Sequence, residues 1–97
     1  MNRKKLIKKY ENKYEELGKI KVNDNSIFCM RSECVDFLVR LDNKETKEDM
    51  IKDYKDIRDG LFVEFHDRSL DYSMYVCKMA RIDIITEILR DLEEMEG

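Results

Sequence analysis

The last third of the chain carries a helical pattern that changes character along its length. From Leu70 to Ile82 apolar residues point almost all round: Leu70, Tyr72, Met74, Tyr75, Val76, Cys77, Met79, Ala80 and Ile82. From Asp83 to Met95 they narrow to one stripe of Ile84, Ile85, Ile88, Leu89, Leu92 and Met95. A helix apolar on every side needs cover on every side. The pattern therefore predicts a long helix over 69–95 as the central element, with its N-terminal half the most enclosed. In a chain of 97 residues the material for that cover is scarce, so a partner subunit or target protein becomes a candidate.

Three more helices are legible upstream. Over 2–17, Leu6, Ile7, Tyr10, Tyr14 and Leu17 share an arc of about 100°, opposite Lys4, Lys5, Lys8, Lys9 and Lys13. Asn2 reads as its N-cap and Gly18 as its C′ residue. Over 26–41, Ile27, Met30, Cys34, Phe37, Leu38 and Leu41 make a stripe, and Phe28, Val35 and Val39 widen it to a second side. A competing assignment pairs Lys19–Val22 with Ile27–Met30 as a short β-hairpin near 19–30. Over 47–65, Met50, Ile51, Tyr54, Ile57, Leu61, Phe62 and Phe65 share one face behind a Thr46–Asp49 capping box. Gly60 either ends this helix or sits on its polar side. Asp67 or Ser69 is expected to cap the fourth helix. Zero Pro and three Gly fit long helices. The fold class is all-α: a compact four-helix bundle with short polar turns, one domain over 1–97.

Charge is unevenly placed. Residues 1–21 carry eight Lys/Arg and three Glu, whereas residues 22–97 carry eleven Lys/Arg and nineteen Asp/Glu. A basic first helix docking on an acidic body accounts for this. A nucleic-acid interface through helix 1 is the alternative, but no helix-turn-helix signature accompanies it and the net charge is −3. Helix 1 lacks the Trp and Phe of a membrane-surface helix, and no apolar run approaches eighteen residues. The expected location is the cytoplasm of a bacterial host.

Catalytic chemistry finds few carriers. His66 is the single histidine. Cys29 and Cys34 lie about 140° apart on a helix and cannot share a ligand. The set Cys29, Cys34, His66 and Cys77 matches no compact zinc spacing, so no metal or cofactor is expected. Three cysteines in a cytosolic-looking chain fit free thiols. No phosphate loop, nucleophile elbow or metalloprotease motif occurs, so the chain reads as a non-enzyme. One constellation stands out. Arg31, Arg58 and Arg81 lie within or beside apolar faces. Each either pairs locally with a carboxylate or joins the others as an anion site for a partner or a nucleotide.

The opening Met-Asn-Arg-Lys-Lys-Leu-Ile-Lys-Lys-Tyr-Glu, running into short charged helices, resembles small early proteins of phages and mobile elements of Gram-positive bacteria. The resemblance implies a protein that acts by binding a host component; anti-CRISPR and other anti-defence inhibitors are one such group. No shared motif carries a functional residue across. The expected function is a non-catalytic inhibitor or regulator that binds a host protein as a homodimer, through Tyr72, Tyr75, Met79 and Ile82. An oligomeric protein that sequesters an anionic nucleotide is the alternative.

Overall fold

The computed structural model describes residues 1–66 and 71–96. It contains four helices, α1 (Arg3–Leu17), α2 (Ser26–Asp42), α3 (Lys47–Phe65) and α4 (Tyr72–Glu94). No strand occurs among the described residues, so the hairpin near 19–30 is excluded: Ile27–Met30 is the first turn of α2. A bundle 19 Å thick is two helices deep. α4 lies at its centre, packed on α2 and α3, and α1 packs on α2.

Local side-chain caps start α1, α3 and α4, whereas Asn25 at the start of α2 makes no such cap. Asn2 Oδ1 accepts from Lys5 N at 2.8 Å, Thr46 Oγ1 from Asp49 N at 3.1 Å and Asp71 Oδ1 from Met74 N at 2.8 Å. Each satisfies an orphan backbone donor. Asp71 is thus the cap of α4, while Asp67 and Ser69 lie outside the described residues. The α2–α3 turn is a Schellman motif: Lys44 N donates to Leu41 O and Glu45 N to Arg40 O. Its C′ residue, Lys44, has φ 59°, a left-handed conformation usually held by glycine. Gly60 sits inside α3 and does not break it. Gly18 is right-handed (φ −63°), so its role is not that of a left-handed cap.

Two helix ends are closed from a distance. Lys47 Nζ donates to Glu93 O and Met95 O, supplying the cation that the last turn of α4 lacks. Arg3 reaches Leu41 O and Glu45 O at the end of α2.

The core runs through Leu6, Tyr10, Phe37, Leu41, Met50, Tyr54 and the Ile84–Ile85–Ile88–Leu92 face of α4. Tyr10, Phe37 and Tyr54 meet edge to face in series, with centroids 4.8 and 5.8 Å apart. Burial on α4 begins at Ala80 and fills the C-terminal half. The expected enclosure of its N-terminal half is therefore reversed. The siblings of α4 cover one flank of its second half, and no described element covers the outer side of its first two turns.

The cysteines also depart from expectation. Cys29 and Cys77 form a disulfide between α2 and α4, with Cα atoms 5.8 Å apart, and only Cys34 is free. The two partners are 48 residues apart in sequence, and helix packing alone brings them together.

Candidate functional site

The outward face of α4 is built from i, i+3, i+7 spacing: Tyr72, Tyr75 and Met79 all point away from the Ile84–Ile88 stripe. Tyr72 is 73% exposed, Tyr75 39% and Met79 47%; Met74 is also exposed. Ile82 differs from its three neighbours. It is half-buried and packs on the core, so it belongs to the base of this surface rather than to its contact layer. At the end of α3, Phe62 and Val63 add further exposed apolar area.

This surface is tied to the rest of the bundle at several points. Asp71 caps its first turn. The Cys29–Cys77 disulfide ties its second turn to α2, and Asn25 Nδ2 donates to Ser73 Oγ at 3.0 Å. Lys78 pairs with Glu64 of α3. Apolar side chains on a preordered helix lose little entropy when a partner covers them.

The three arginines do not converge. Arg31 donates from Nε to Tyr14 O at 3.2 Å and lays its guanidinium 3.9 Å over the Tyr14 ring. Arg81 of α4 donates from Nε to Oε1 of buried Glu33 of α2 at 2.7 Å, an ion pair that joins the two helices. Arg58 is half-buried, and helical phase puts it with Phe62 on the flank of α3 turned away from the Arg40–Asp53 contact. Local pairing thus employs two of the three, and a shared anion site is not formed.

The basic helix does dock on acidic groups. Lys9 Nζ meets Asp91 at 2.6 Å, and Lys13 meets Glu87 at 2.8 Å. Tyr10 donates its hydroxyl to the same Asp91 oxygen at 2.8 Å. Burial, then the bond to Asp91, pushes the Tyr10 phenol far above its ordinary range. Tyr54 is likewise raised by burial, with the Arg40 guanidinium 5.0 Å from its ring opposing the shift. Cys34 is fully buried and its thiol is pushed up to about 11 by burial, which keeps it neutral and inert as a nucleophile.

Several clefts are open to solvent. One of about 300 Å³ lies over Glu33, Asp36, Arg40, Tyr54, Ile57 and Arg81, where charges of both signs already neutralise one another. Among the described residues, no group of three or more His, Cys, Asp or Glu side chains is placed to hold a metal ion, and no helix is long and apolar enough to cross a membrane. The larger grooves lie between α1 and α2, at about 590 and 450 Å³.

Sequence periodicity alone did not single out Glu33, Asp91 or Val63, and it put Phe62 on the inward face of α3, where the structure leaves it exposed. A signal existed for the acids. Asp91 falls in the Ile84–Ile88–Met95 row, and Glu33 in the Met30–Phe37 row. A carboxylate inside an apolar row must find a cationic or donor partner. Val63 lies about 160° from Leu61-side core positions such as Leu61, an apolar residue outside its own stripe. Comparison with known protein families, with curated proteins and with solved structures finds no match for this chain.

Proposed function

We propose that this chain is a non-catalytic binding module whose outward α4 face, anchored on Tyr72, Tyr75 and Met79, docks another protein. The observation that carries the reading is that two tyrosines and a methionine remain exposed on a capped, disulfide-tethered helix. Such side chains are enriched in interface cores, and methionine adapts to varied contacts. The resemblance of the N-terminal segment to small phage proteins directs the search for the partner to bacterial host proteins, with inhibition or regulation as the outcome. Bait carrying Tyr72→Asp or Met79→Asp should keep the wild-type helical signal and melting temperature, because both side chains are exposed. It should lose any partner that the wild-type bait retains from a host lysate. Equal retention by wild type and both variants would remove α4 from the interface.

A further inference from the structure

Four charged residues run in one line along α1. Lys4, Lys8, Glu11 and Glu15 fall within about 60° of arc, and all four are exposed. Glu11 and Glu15 border the groove of about 590 Å³ between α1 and α2, whose apolar walls include Ile7, Val35, Leu38 and Val39. On α2, Phe28, Val35 and Val39 share about 40° of arc and are 75%, 42% and 52% exposed. This is a second apolar face, separate from that of α4.

The order of charge on α1 works against the isolated helix. Lys4 and Lys8 repel at i, i+4, and so do Glu11 and Glu15. Lysines at the start and glutamates at the end also oppose the helix dipole, since α1 has no acid in its first turn and no base in its last. Among the described residues none of the four has an ion-pair partner.

An antiparallel copy of the same helix removes each conflict. The pairs Lys4–Glu15 and Lys8–Glu11 share one midpoint, between Lys9 and Tyr10. A two-fold axis there sets Lys4 against Glu15 of the second copy and Lys8 against Glu11 of the second copy, and the reverse. Every charge in the row then meets its opposite, and the two helix dipoles run antiparallel. We infer that the α1–α2 face is a two-fold interface with a second copy of this chain, its Lys4–Lys8–Glu11–Glu15 row self-complementary and its Val35 and Val39 covered. An interface of standard size hides about 800 Å² per partner, roughly an eighth of the 6416 Å² that this chain exposes. This inference stands apart from the α4 surface and survives or fails without it.

The test is the mass of the full-length oxidised protein by analytical ultracentrifugation over a range of concentrations. Wild type is expected at twice 11.8 kDa, dissociating more readily as salt rises from about 0.05 M to about 0.5 M. Lys8→Glu alone and Glu11→Lys alone should each weaken the dimer by roughly tenfold or more, because two-fold symmetry counts each substitution twice. The double variant Lys8→Glu with Glu11→Lys restores complementarity and should dimerise again. An equimolar mixture of the two single variants should form a heterodimer. Circular dichroism confirms folding throughout, since no substituted side chain is buried. A single-chain mass at the highest concentration, a dimer indifferent to Lys8→Glu, or a double variant that stays apart each overturns the inference. A dimer broken by Met79→Asp but not by Lys8→Glu also overturns it and assigns the second copy to α4.

Discussion

The guanidinium of Arg31 occupies the space that a side chain at Gly18 would need. A Cβ built on Gly18 would lie 2.8 Å from Arg31 Nη2 and 2.9 Å from Cζ. The glycine therefore serves close approach, not backbone conformation, and it lets Arg31 lie flat on Tyr14 while bonding its carbonyl. Gly18→Ala should push Arg31 off the ring. In an Arg31→Met background the same alanine should be stabilising, by about 0.5–1 kcal/mol, through the unfolded chain. A double-mutant cycle by urea denaturation should give a coupling of about 1 kcal/mol; additivity would show that the contact carries no energy.

The Cys29–Cys77 bond closes a loop of 48 residues. Loop closure of that length stabilises the folded chain by up to roughly 4 kcal/mol through the unfolded state. Reduction or Cys77→Ser should lower the urea midpoint accordingly. Amide exchange should rise first in residues 72–79, which few core contacts hold. Mass spectrometry of the unreduced protein should find one modified cysteine, Cys34, after alkylation in denaturant, and none after alkylation of the folded chain.

Two backbone positions can be improved. Lys44→Gly relieves the left-handed φ of 59° at the C′ position and should stabilise by about 1 kcal/mol. Gly60→Ala adds a Cβ that meets no atom within 4 Å, in a helix interior, and should stabilise by about 1 kcal/mol. Lys44 lies in the α2–α3 turn and Gly60 about four turns further on inside α3, so their effects on thermal unfolding should add.

Buried tyrosines set an alkaline limit. Tyr10 and Tyr54 both ionise well above the ordinary 10.0 when folded, for reasons of burial. The folded state thus holds these protons more tightly than the unfolded one. That stabilisation is complete below about pH 10 and is lost as pH climbs from 10 towards the folded-state values. Each tyrosine contributes a slope of about 1.4 kcal/mol per pH unit in that window. Tyr10→Phe should reduce the slope by one tyrosine's share, in urea titrations run above pH 10. It should also cost about 1–2 kcal/mol at neutral pH, because Asp91 loses a buried donor.

The bundle was readable from residue spacing because helix formation is largely local. The Leu6–Tyr10–Leu17 and Ile84–Ile88–Leu92 rows repeat with the helical period, and Asn2, Thr46 and the polar Asp42–Glu45 turn act within a few residues of themselves. The exposure of Tyr72 and Met79 was also within reach, since a short chain has few helices to spare for cover. Ile82 shares their apolar character, and spacing could not tell that it would pack inward.

Periodicity, capping residues and composition were enough to specify four helices, their faces and the excess of apolar perimeter on the fourth. Packing settled which perimeter is shielded, joined Cys29 to Cys77, and sent Arg31 to Tyr14 and Arg81 to Glu33. Those outcomes depend on the order and angles in which rigid helices meet, and contacts across dozens of residues leave no periodic trace along the chain.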